Sequence, residues 1–131
     1  MREFGWSYNQ IVREYLRKGK TAMTTISENN DVVTTINTFM FEPENQQRGL
    51  ELLVEIAKMI RKEVPGFLSA NFHMSVDGTR VVNYAQYSSH EAFQVATAKV
   101  FEKADTPLLI ELRQIATPDA HEYKVRTILE G

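Results

Sequence analysis

No cysteine occurs anywhere in the chain. That absence removes disulfides, iron–sulfur clusters, thiolate zinc sites and cysteine nucleophiles together, and it fits a reducing compartment. No apolar run approaches the roughly 18 residues of a transmembrane helix. The first twenty residues carry charge throughout, which leaves no room for a signal-peptide apolar core. A surplus of one charge sign is also missing. Seventeen acidic and 15 basic side chains give a formal net charge of −2, far from the basic stripe of a nucleic-acid surface and without the like-charged blocks of disordered tails. The expectation is a cytoplasmic protein with neither nucleic acid nor membrane as a partner.

What is present is 131 residues, 43% hydrophobic and 10% aromatic, enough for one domain with a modest core. Two parts are expected: an extension over residues 1–30 and a folded domain over 31–131. In the extension, Tyr8, Ile11, Val12, Tyr15 and Leu16 share one helical face. Ser7 is placed to cap that helix and Gly19 to stop it. Its basic side (Arg13, Arg17, Lys18, Lys20) suits a membrane surface or a partner, and its apolar side suits packing on the domain or a dimer mate. The polar stretch Lys20–Asp31 reads as a linker, and Met23 within it is an alternative natural start.

From Asp31 onward the elements alternate clearly. Val32–Phe41 has the β-branched and aromatic composition of a strand. Pro43 and Glu44 open a helix that runs with apolar spacing through Leu50, Leu53, Val54, Ala57 and Ile60 until Pro65-Gly66. Phe67–Val76 and Arg80–Tyr87 read as strands joined by the hairpin signal Asp77-Gly78. Ser88-Ser89 with Glu91 caps a second helix, whose apolar face is Ala92, Phe93, Ala96, Val100 and Phe101. A short helix over Thr106–Ile115 follows, then a break at Thr117-Pro118-Asp119 and a last strand over His121–Leu129. The order β-α-β-β-α-β predicts an α+β, ferredoxin-like fold with a four-stranded antiparallel sheet. Its helices cover one sheet face, so the other is expected to be buried by a second copy in a homodimer.

Generic catalytic signatures are absent: no phosphate-binding glycine loop, no G-x-S-x-G elbow, no H-E-x-x-H pair. The three histidines, His73, His90 and His121, fit no zinc spacing. A two-histidine, one-carboxylate iron site would have to be assembled in space, and nothing in the sequence favours one. More informative are polar residues on strands. Asn37 shares a face with Thr35, Phe39 and Phe41. His73 alternates with Phe67, Ser69 and Asn71, and Asn83 with Val81, Ala85 and Tyr87. Asparagine is a poor strand former, and a buried amide without partners costs about 1–3 kcal/mol. Such residues either line a pocket for a polar ligand or are satisfied by backbone, water or solvent.

The runs Gly66-Phe67-Leu68-Ser69-Ala70-Asn71-Phe72-His73 and Asp77-Gly78-Thr79-Arg80-Val81-Val82-Asn83-Tyr84-Ala85-Gln86-Tyr87 resemble the antibiotic biosynthesis monooxygenase (ABM) domain. Ser89-His90-Glu91-Ala92-Phe93 and Ala116-Thr117-Pro118-Asp119-Ala120-His121-Glu122-Tyr123 extend the likeness, which covers roughly Val33–Leu129. The resemblance implies a dimeric α/β barrel and oxidation of an anthrone-, polyketide- or quinol-like aromatic to a quinone by O2, with no metal, flavin or other cofactor. It assigns Asn83 and Tyr87 to the pocket, with Asn37 on the first strand and His73 on the second. Tyr87 stands where a tryptophan is usual, and Phe93 where some members carry tyrosine.

Dioxygen is a ground-state triplet, so a closed-shell substrate must first supply an electron, which a phenolate or enolate does more readily than a phenol. In that chemistry His73 is the expected base and Asn83 and Asn37 donate to the oxyanion or peroxide. Tyr87 stacks and donates, and Phe39, Phe72 and Phe93 contact the substrate. A non-catalytic dimeric binding module of the same fold is the alternative. Haem degradation, known in the same superfamily, fits less well because Thr97 stands where the haem-ligating histidine is expected.

Overall fold

The computed structural model describes residues 24–28 and 31–131. The expected helix between Ser7 and Gly19, and Met23, lie outside the described residues. Strand β1 spans Val33–Met40, a run of β-branched and aromatic residues suited to a pleated, half-buried surface. A turn of 3-10 helix, Pro43–Asn45, leads into helix α1, Gln46–Glu63. The entering proline costs nothing there, because its missing N–H would have no intrahelical partner. The buried Gln46 ties the start of α1 to the β2–β3 hairpin: its Nε2 donates to the carbonyls of Ser75 (3.0 Å) and Arg80 (2.9 Å). Helix α1 buries Gly49, Leu52, Leu53, Ile56 and Ile60, one stripe at helical spacing.

Strands β2, Phe67–Met74, and β3, Arg80–Tyr87, follow. Gly78 turns the chain between them with φ +83, a conformation that favours glycine. Asp77 ties the turn together, accepting from the hydroxyls of Ser75 (2.8 Å) and Thr79 (2.7 Å) and from the Thr79 N–H (3.0 Å). Those bonds hold its carboxyl down at about 2. Helix α2 spans His90–Glu102, with the Ser89 hydroxyl accepting from the Ala92 N–H at 3.0 Å, as a serine N-cap should. Helix α3, Pro107–Ile115, and strand β4, Thr117–Tyr123, complete the chain.

The strands lie in the order β2-β3-β1-β4, and every neighbouring pair is antiparallel. The fold is the α+β, ferredoxin-like arrangement, with three α-helices among the described residues on one sheet face. Leu52, Leu53, Ile56, Leu109 and Leu112 from the helices pack on Val81, Ala85 and Tyr87 from β3. Arg48 of α1 holds α3 through two 2.7 Å bonds to Glu111.

Three expectations need correction. The last strand starts at Thr117 rather than His121 and ends at Tyr123 rather than Leu129. Pro118 does not break it because, among the described residues, β4 pairs with β1 alone, and an edge strand has one side where an N–H is not needed. Second, the register of β2 on β3 shifts between Phe67 and Ser69. This bulge puts Phe67 on the helix side with Ala70 and Phe72, and leaves Ser69, Asn71 and His73 on the other. Third, Phe101 is 74% exposed and is not part of the buried face of α2. Of the expected linker, residues 24–28 lie against the open sheet face. Asn71 Nδ2 donates to the Thr24 hydroxyl at 2.6 Å, and Gln86 Nε2 to the Thr25 carbonyl at 2.9 Å.

Candidate active site

Register fixes which side chains meet. Asn37 of β1 is the cross-strand partner of Asn83 on β3, and Phe72 of β2 pairs with Asn83 from the other side. Phe39 pairs with Val81, and Val33 with Tyr87. Side chains alternate along a strand, so Asn37, Phe39, Phe72, Asn83 and Tyr87 share the helix-facing side of the sheet. Helix α2 adds Phe93, whose ring centroid is 5.6 Å from that of Tyr87. Phe67 meets Tyr87 edge-on from the opposite direction, at 5.8 Å.

The helices pack chiefly over β2 and β3. Over β1 and β4 the same face is more open: Asn37 and Phe39 are half-buried, and Pro118, Ala120 and Glu122 are exposed. The asparagine pair therefore stands at the boundary between the packed core and an accessible surface. Asn83 is oriented by the backbone, because its Oδ1 accepts from the Asn71 N–H at 3.2 Å. That bond assigns the amide: the oxygen is the accepting end and Nδ2 the donating end. Burial pushes the Tyr87 phenol above its ordinary range, which keeps it a neutral hydroxyl at physiological pH.

His73 does not join this group. It pairs with Val82 on the opposite sheet face and is exposed; the bulge at Phe67/Ser69 is why its alternation with Phe67 misleads. His121 is on that far face as well, across from Ile36, with Nε2 2.6 Å from Asp119 Oδ1. On the helix side, His90 Nδ1 lies 3.2 Å from Glu122 Oε1, and the His90 ring is 6.2 Å from Phe93. Glu122 in turn is the register partner of Thr35, whose buried Oγ1 has no hydrogen-bond partner among the described residues. Sequence reading missed Glu122 and Thr35 as site candidates. The alternation Pro118, Ala120, Glu122 would have signalled the first, had the strand been started at Thr117.

A cavity of about 410 Å³ opens elsewhere, along the outer edge of β2 and α1, lined by Val54, Ala57, Arg61, Leu68 and Phe72 among others. Phe72 is the one expected site residue it touches. Thr97 is exposed, and its hydroxyl donates to the Phe93 carbonyl at 3.1 Å, so that position offers no imidazole to a haem. Among the described residues no three His, Asp or Glu side chains gather as a metal-binding group would.

The chain resembles known proteins in sequence and fold. The family model described as antibiotic biosynthesis monooxygenase matches residues 32–99. The tetracenomycin-F1 monooxygenase of Streptomyces glaucescens is 42% identical over 76 residues, 58% of this chain and 68% of that protein. Among solved structures, a monooxygenase from the gene ActVA-Orf6 of Streptomyces coelicolor, in complex with Nanaomycin D, is 34% identical. It superposes with a TM-score of 0.61 over 76% of this chain and 91% of its own. A variant of SnoaB, a cofactor-independent oxygenase from Streptomyces nogalater, shares the fold at 23% identity, with a TM-score of 0.60 over 77% of this chain and 99% of its own. With the family match spanning more than half of its residues, the chain belongs to the antibiotic biosynthesis monooxygenase family and is a monooxygenase.

Proposed function

We propose that this monooxygenase oxidises a flat, phenol-bearing polycyclic substrate of the anthrone or polyketide type to a quinone, using dioxygen and no metal or flavin. The observation that carries the reading is the cross-strand pair Asn37–Asn83, flanked by Phe72 on β2 and Phe39 on β1. Two amides with hydrogen-bonding capacity share one sheet face with aromatic rings that a planar substrate can contact. The Streptomyces relatives support the substrate class.

The reaction is R2CH2 + O2 → R2C=O + H2O. Loss of a proton gives an enolate or phenolate, which passes one electron to dioxygen. Recombination of the two radicals forms a peroxide anion, and protonation followed by loss of water leaves the new carbonyl. The protein's share is to hold the ring and to stabilise negative charge as it moves from substrate oxygen to peroxide. Asn83 Nδ2 is the donor for that charge, Asn37 adds a second amide, and Tyr87 a neutral hydroxyl. Phe39, Phe72 and Phe93 contact the ring, and the bound ring itself shields those hydrogen bonds from water.

A homodimer goes with this reading. The sheet face away from the helices carries Ile36, Met40, Val82 and Tyr84, all half-buried at most, and a second copy of the chain would cover it. Size-exclusion chromatography with light scattering tests this, with Ile36→Glu expected to shift a dimer to monomer. The chemistry is tested by supplying labelled dioxygen with 1,8-dihydroxyanthrone as the probe. One labelled atom is expected in the quinone carbonyl and the other in water; a quinone without label would refute a monooxygenase route.

A further inference from the structure

We infer that His90, positioned by Glu122, is the general base that removes the substrate proton; the inference rests on the oxidation proposed above. The chemistry needs a proton acceptor near the asparagine pair, and imidazole is the side chain suited to that task near neutral pH. All three histidines of the chain are among the described residues. His73 and His121 belong to the far face of the sheet. His90 alone stands on the helix side, at the first turn of α2, three residues before the Phe93 ring that touches Tyr87.

Nδ1 lies 3.2 Å from Glu122 Oε1, an ion-pair distance. That leaves Nε2 as the ring nitrogen free of the carboxylate and able to accept the substrate proton. Glu122 stabilises the imidazolium once the proton has moved. The dyad borders the site through β4: Glu122 is opposite Thr35, and Thr35 is two residues from Asn37 on the same face. Diagonal neighbours in such a ladder are about 7–8 Å apart, within the width of one aromatic ring system. The buried Thr35 hydroxyl, without a hydrogen-bond partner among the described residues, makes that row polar on its inner side. As a purely structural bridge the pair has little value, since exposed ion pairs add little to stability.

The step is a simple transfer. Nε2 takes one proton from the substrate's phenol or from the carbon beside its carbonyl, leaving the anion, and the imidazolium returns that proton to the peroxide. The test measures oxidation of 1,8-dihydroxyanthrone by wild type, His90→Ala and Glu122→Gln, with folding checked by circular dichroism. His90→Ala is expected to lose about a hundredfold in kcat and to regain activity in proportion to added imidazole. Glu122→Gln is expected to lower kcat with KM unchanged. Full activity in His90→Ala, or a loss that imidazole does not restore, would overturn the assignment while the oxidation itself stands. A wild type inert toward the probe would overturn the oxidation and the base with it.

Discussion

Asn37 and Asn83 face each other directly across β1 and β3, on the side of the sheet that carries the helices. Strands rarely bring two amides together in this way, since asparagine packs poorly on a pleated surface. If both amides serve one developing charge, their effects are coupled. Asn83→Ala is expected to lower turnover of an anthrone substrate at least about tenfold, the modest end for loss of an oxyanion donor. The Asn37→Ala, Asn83→Ala double variant should lose less than the product of the two single losses, as contacting residues do. Steady-state kinetics on the four proteins checks this, and unchanged turnover in Asn83→Ala would remove that residue from the chemistry.

Helix α2 is held against the sheet by a close approach at Gly66. A Cβ there would lie 2.3 Å from the Ala92 Cβ and 2.6 Å from the Ser88 hydroxyl. Gly66→Ala must push α2 outward, at a cost of about 1–3 kcal/mol for such overpacking. Thermal unfolding should show a clear drop in Tm. Because Phe93 moves with α2, the variant should also raise KM for an aromatic substrate.

The order and type of the elements were legible because Asp77-Gly78, Pro65-Gly66 and Ser89 each act locally, through turn geometry, helix termination and capping. What the sequence hid depends on contacts between strands. The start of β4 at Thr117 was masked by Pro118, whose tolerance follows only from β4 being an edge strand. The bulge at Phe67/Ser69 leaves no local signature, yet it separates Phe67 from His73 and so decides which histidine stands beside the aromatic cluster. Asn37 with Phe39, and Asn83 with Tyr87, were readable as same-face pairs because each alternates on an unbulged strand; that these faces coincide and that Phe72 joins them depends on strand register.

Burial of Tyr87 raises its phenol above the ordinary tyrosine range. A spectrophotometric titration should show a component ionising above the ordinary tyrosine range, and Tyr87→Phe should remove that component. Stability is expected to survive the substitution, because the ring packing on Phe67 and Phe93 remains. Turnover should fall if the hydroxyl donates to the substrate.

The β2–β3 turn has its own acid limit. Asp77 is held at about 2 by the hydroxyls and the backbone N–H that it accepts from. Its folded pKa lies below its ordinary value of 3.8. Its contribution to stability is therefore complete above roughly pH 4 and is lost as pH falls through about 2. Carboxyl NMR titration should find this midpoint near 2, and Asp77→Asn should remove that part of the acid dependence.

The most direct measurement is dioxygen consumption by the purified protein with a panel of anthrones and hydroquinones, run with and without a metal chelator. The account predicts uptake with at least one anthrone, stoichiometric with quinone formed and unchanged by the chelator. No uptake with any of these substrates, or uptake that the chelator abolishes, would contradict it.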